Sequence, residues 1–246
     1  MAGKNKTNVI IVGGFTLIEM LIACAVSVLL LIGLFKVYQS VQHIEKNNAL
    51  LIGMQTRAQF VSHLLQKRIR MAGFAGCGLG GLAVDQTNAI QGYDADHLPA
   101  FLQGEIADHS DVMVIGECLP YHAHKQFMRI AYFIGDTHRK SSSGQPIYAL
   151  YAKKLPDGHR EELAEGISQL KIQYGLADPH FSNILSYQSA HAIENWSQVK
   201  SIDLSFLIDS INPVLPTSYF AWFNKNFHST ALVKPWGVYV VLRERG

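Results

Sequence analysis

The chain has 246 residues, of which 48% are hydrophobic and 16% charged, and a formal net charge of +2. That length leaves room for one globular domain with its own core. The small average charge gives no indication of nucleic-acid binding, with a local patch left open; Lys4 and Lys6, ahead of any acidic residue, account for all of the excess.

Residues 15–35 form an apolar run with a single charge, Glu19, and the next charged residue is Lys36. At about 1.5 Å per residue, such a run crosses a hydrocarbon core about 30 Å thick. The two lysines before it predict a cytoplasmic N-terminus and an exported remainder. A carboxylate at bilayer depth costs about 2.5–3.5 kcal/mol on insertion scales. A plain anchor has no need of it, so Glu19 calls for a cationic partner. Gly13 and Gly14 precede the main apolar run, so cleavage there leaves the span on the mature protein.

From 36 to 72 the pattern turns amphipathic. Val37, Val41, Ile44, Leu51, Met54, Ala58, Val61, Leu65, Ile69 and Ala72 recur at steps of three, four or seven, which is one face of a helix. Lys46, Arg57, Lys67 and Arg68 are expected to point mostly elsewhere. No proline occurs before Pro99, so span and amphipathic segment can form one helix, with Gly33 and Gly53 as its weak points. The second half of the stripe is expected to pack on the chain's own head, and the first half on neighbouring subunits. The glycines of 73–78 end the helix. Short runs rich in apolar or β-branched residues then predict strands at 112–115, 128–134, 147–152, 167–174, 200–208 and 237–242. Ile202, Leu204, Phe206 and Ile208 alternate in the manner of a half-buried antiparallel strand.

The run Gly14-Phe15-Thr16-Leu17-Ile18-Glu19 followed by an apolar helix resembles the prepilin signal of type IV pilins and type II secretion pseudopilins. The resemblance implies that a prepilin peptidase cuts between Gly14 and Phe15 and methylates the new Phe15 amine. It also implies that Glu19 pairs with the terminal amine of a neighbouring subunit during assembly. The leader departs from the family in being apolar from Val9 to Gly13. Three further stretches are similar to PilW-type minor pilins: Arg68-Ile69-Arg70-Met71-Ala72-Gly73-Phe74-Ala75-Gly76-Cys77 at the helix exit, 165–175 from Glu165-Gly166-Ile167 to Tyr174-Gly175, and 196–208 from Trp196 to Ile208. The J-type pseudopilins share the last two loosely. In an oxidising periplasm Cys77 and Cys118 read as one disulfide, with two buried free thiols as the alternative, while Cys24 reads as a small apolar residue of the span. Residues 178–195 and an insert at 213–233 carrying Tyr219, Phe220, Trp222, Phe223 and Phe227 match no family pattern. The aromatic cluster reads either as a hydrophobic flap on the sheet or as an exposed contact.

Motifs for chemistry are scarce. His122 and His124 could face one side of a strand as zinc ligands, but no third ligand completes the set. Asp94, Asp96 and Glu105 fit three positions of a calcium loop, whereas Leu98 and Pro99 occupy positions that need an oxygen ligand and a glycine. No nucleophile elbow, phosphate loop or dinucleotide fingerprint is present. No metal and no cofactor are expected. The resemblance implies an α+β, pilin-like fold: a leader at 1–14, a long N-terminal helix at 15–72 with its transmembrane part at 15–36, and a periplasmic antiparallel β-sheet head at 73–246. It implies a non-enzymatic minor pilin of the inner membrane that primes and assembles a type IV pilus, with tip capping left open. Its partners would be other minor pilins, the major pilin, the prepilin peptidase and the inner-membrane assembly platform. The alternatives are a J-type minor pseudopilin of type II secretion and a membrane-anchored periplasmic enzyme.

Overall fold

The computed structural model describes residue 14 and residues 16–72, 89–121, 124–156, 158–177, 183–223 and 225–242. One long apolar helix, α1 (Leu17–Met71), is followed by antiparallel β-sheets, so the α+β class holds. The chain divides into two compact units with the boundary between Leu50 and Leu51.

In the first unit the described helix is solvent-exposed. Leu21, Leu29, Leu30, Leu31 and Phe35 are each more than half exposed. A helix this apolar with nothing covering it is long enough to cross a membrane.

Among the described residues the second unit holds the remaining turns of α1 and nine strands. β1 (Ile90–Tyr93), β2 (Val112–Tyr121), β3 (His124–Lys140), β4 (Pro146–Leu155) and β5 (Arg160–Glu165) form a sheet in chain order. β6 (Ile167–Ala177), β7 (Ile184–Gln188), β8 (Val199–Trp222) and β9 (Lys225–Val241) form a second sheet in the order β7-β6-β8-β9. Among the described residues the head therefore carries two antiparallel sheets. Met54, Ala58, Val61, Leu65 and Ile69 are buried in the main core. They share that core with Ile115, Ile130, Tyr132 and Leu150 of the first sheet and with Ile172, Ile202, Leu204, Phe206 and Val240 of the second. At about 1.5–3 kcal/mol for each large side chain buried, this stripe is what fixes the helix to the head. A smaller core of Leu102, Val112, Val114, Ala131, Phe133, Ala149 and Tyr151 lines the opposite face of the first sheet.

The predicted strands lie within observed ones, except that 237–242 runs one residue past the end of β9 at Val241, and most observed strands are longer. β3 and β4 continue past the apolar residues through Asp136↔Tyr148 to Lys140↔Pro146, because ladder hydrogen bonds are made by the backbone and persist where side chains are solvated. β5, with the sequence Arg-Glu-Glu-Leu-Ala-Glu, is too charged to be predicted as a strand. It is an edge strand of its sheet, where charge protects against further pairing. The presumed insert at 213–233 belongs to a long hairpin. β8 pairs with β6 only as far as Ile208, and beyond that its described pairing is with β9, out to Trp222↔Lys225. At the tip the rings of Trp222 and Phe223 meet edge to face at 4.9 Å.

Candidate functional site

Thr16 opens α1. Its Oγ1 accepts the backbone N–H of Glu19 at 3.3 Å and its carbonyl accepts the same N–H at 3.1 Å. Thr-x-x-Glu at a helix start is the capping-box spacing, so Glu19 occupies the third helical position near the positive end of the dipole. Glu19 is exposed, and among the described residues no ion pair forms at it. Gly14 is exposed, with nothing within 4 Å of where a Cβ would stand. Phe15 lies outside the described residues, as do Cys77 and His122. Cys118 sits on β2 opposite Phe127 of β3. His124 starts β3 opposite Tyr121.

Two arginines of α1 correct the sequence reading, because both turn toward the head. Arg68 Nη1 donates to Glu117 Oε2 at 2.6 Å, and the Tyr132 hydroxyl donates to Glu117 Oε1 at 3.2 Å. Glu117 is only 2% exposed. Arg57 Nε donates to the Gly53 carbonyl, Nη1 to that of Glu165 and Nη2 to that of Asp209, each at 3.3 Å. The guanidinium thus ties α1 to the crossover between the sheets. Gly166, at φ +73°, lies there, and a Cβ on it would collide with Arg57 Nη1. The long stems of both arginines run beside the apolar stripe while their heads reach off it, which a helical wheel alone does not reveal. One signal was available: Glu117 stands inside the apolar run 112–118, and an acid buried there needs a cation.

The carboxyl groups of the incomplete calcium-loop pattern go separate ways. Glu105 pairs with Lys153 Nζ at 2.6 Å. Asp94 is buried and accepts the backbone N–H groups of Ala190 and His191, both at 3.0 Å, and also faces His191 Nδ1. Burial alone would raise its pKa, but the hydrogen bonds from the His191 side chain and from the His191 and Ala190 backbone outweigh it and hold the carboxyl below its ordinary value. His97, three residues on, stacks on His191 with ring centroids 5.2 Å apart. Ligand atoms of Asp94, His97 and His191 all lie within 4.8 Å of one another.

Asp209, beside Arg57, keeps some surface, but its carboxyl is enclosed and accepts from Ser168 Oγ at 3.0 Å. Burial pushes it up to about 7, against the pull of the Ser168 hydroxyl and Arg57. The folded state therefore binds this proton more tightly than the unfolded chain, whose carboxyl has the ordinary value of 3.8. The resulting stability is fully present below that ordinary value and is lost as pH rises through about 7. Asp209→Asn should change stability little at pH 4 and raise it at pH 8 by on the order of 2 kcal/mol. Denaturant melts of both proteins at the two pH values check this; parallel pH profiles would refute it.

The family model described as Type IV Pilus-assembly protein W matches residues 131–231. The chain carries a PilW-family domain. The match runs from Ala131 in β3 to Ala231 in β9, so it takes in parts of both sheets of the head. No curated protein and no solved structure matches the chain significantly. The PilW match supports a role associated with the type IV pilus in general, and the family is a pilus-assembly component, not a known enzyme family. Together with the exposed apolar helix, it points to a membrane-anchored protein.

Proposed function

We propose that this PilW-domain chain is a minor pilin, held by α1 in the inner membrane with its head in the periplasm. It primes and assembles a type IV pilus with other minor pilins and the major pilin. The observation that carries the reading is the exposed apolar helix with Glu19 in its first turn, on a chain whose head matches PilW. A helix that leaves its apolar side chains uncovered is completed by lipid before assembly and by neighbouring helices after it. Glu19, costly in either setting, is matched by the amine of Phe15 on the next subunit once the leader is removed. Deleting the gene and counting surface pili tests the role; unchanged piliation would overturn it.

Processing belongs to the same reading. A prepilin peptidase would cut after Gly14 and methylate Phe15. Gly14→Leu should then leave essentially all of the protein as full-length precursor on a gel, because a side chain there blocks the scissile bond. Normal accumulation of the shorter form would exclude this cleavage site.

A bridge between Cys77 and Cys118 is also proposed. Its support is that Cys77 and Cys118 are the two cysteines beyond the apolar helix, in a compartment that oxidises thiols. The chain has three cysteines in all. The bridge would tie the segment after α1 to β2.

A further inference from the structure

We propose that Asp94, His97 and His191 bind one zinc-class divalent transition-metal cation, and that this ion staples the turn after β1 to the segment leading into β8. The three residues come from distant parts of the chain. Asp94 and His97 belong to the turn closed by the His97 N–H to Asp94 carbonyl bond at 3.0 Å. His191 lies in the 3-10 turn Ala190–Ala192, between β7 and β8. Their ligand atoms already lie within 4.8 Å of one another. In a tetrahedral zinc site with bonds of about 2.0–2.1 Å, ligand atoms stand about 3.3 Å apart. Rotation of two exposed imidazoles covers that difference, and both histidines are exposed.

The chemistry of the set selects the ion. Two imidazoles and one carboxylate suit zinc and its transition-metal neighbours, whereas calcium and magnesium take oxygen ligands. Asp94 is the fixed member. Two backbone N–H groups hold its carboxylate, as outer-shell donors do in metal sites. The contact between Asp94 and His191 Nδ1 already brings two of the three ligands together. The remaining position would be open to solvent and filled by water. In sequence the cluster is invisible, because 97 positions separate Asp94 from His191.

The test uses the full-length chain in detergent, stripped with a chelator and titrated with cobalt(II) alone and then zinc alone. The expected results are one equivalent of cobalt bound with a tetrahedral visible spectrum, displacement of the cobalt by zinc, and a zinc-dependent rise in Tm. His97→Ala and His191→Ala should each weaken binding by 100-fold or more and abolish the Tm response, while His63→Ala on α1 should change neither. Asp94→Asn is avoided because that carboxylate also holds the 190–191 backbone. Binding that does not saturate near one equivalent would overturn the proposal. So would equal affinity in the wild type and the two histidine variants. The assay does not depend on pilus formation, so its failure would leave the minor-pilin reading untouched.

Discussion

Arg68→Ala is expected to destabilise the head by about 3–5 kcal/mol, the usual penalty for removing one partner of a buried ion pair. Glu117, 2% exposed, would keep, among the described residues, the Tyr132 hydroxyl at 3.2 Å. Arg68 itself is one-third exposed, which places the expected loss toward the lower figure. The lost pair joins α1 to β2, so the helix exit should loosen first. Urea melts and hydrogen exchange at Leu65 and Ile69 would measure both effects. The double variant Arg68→Met, Glu117→Leu should recover most of the loss, because two matched apolar groups replace two desolvated charges. A single variant as stable as wild type would show that the pair contributes no net stability.

Glu19→Ala is expected to insert into the membrane at least as well as wild type, since a charge that is costly at that depth has been removed. Its incorporation into pilin complexes should fall tenfold or more, because the amine of the adjacent subunit would be left unpaired in an apolar setting. Glu19 also stands at the capping-box position after Thr16, so lost capping has to be separated from lost pairing. Glu19→Gln does this. Glutamine can serve the capping box but carries no charge. If pairing is the role, Gln and Ala variants should fail alike; if capping is the role, Gln should restore assembly. Co-purification with partner pilins and pilus counts are the readouts. Normal values for both variants would remove the carboxylate from the assembly mechanism.

Much of the fold could be read from residue periodicity. The stripe from Met54 to Ile69 is buried at the predicted steps, because a repeat near 3.6 records which side of a helix meets a core. Ile202, Leu204, Phe206 and Ile208 are all buried, as strand alternation requires. Val37, Val41 and Ile44 remain exposed, in keeping with a surface left for something outside the chain. The exposed apolar helix too was legible, since an uninterrupted apolar run carrying one acid is a property of the sequence itself.

Local pattern could not say which distant groups would meet. Arg57 and Arg68 turn inward because carbonyls at Glu165 and Asp209, and a carboxylate at Glu117, come to stand beside them. Those partners arise from the crossover between the sheets and from the register of β2. β5 pairs despite its charge because β4 offers it an open edge. The hairpin of β8 and β9 absorbs the segment that looked like an insert because backbone pairing continues past the end of β6. The Asp94 cluster forms only when the turn after β1 is brought against the segment following β7. Periodicity tells each residue which face it occupies. The path of the chain, fixed by burying all those faces at once, decides what each face finds opposite it.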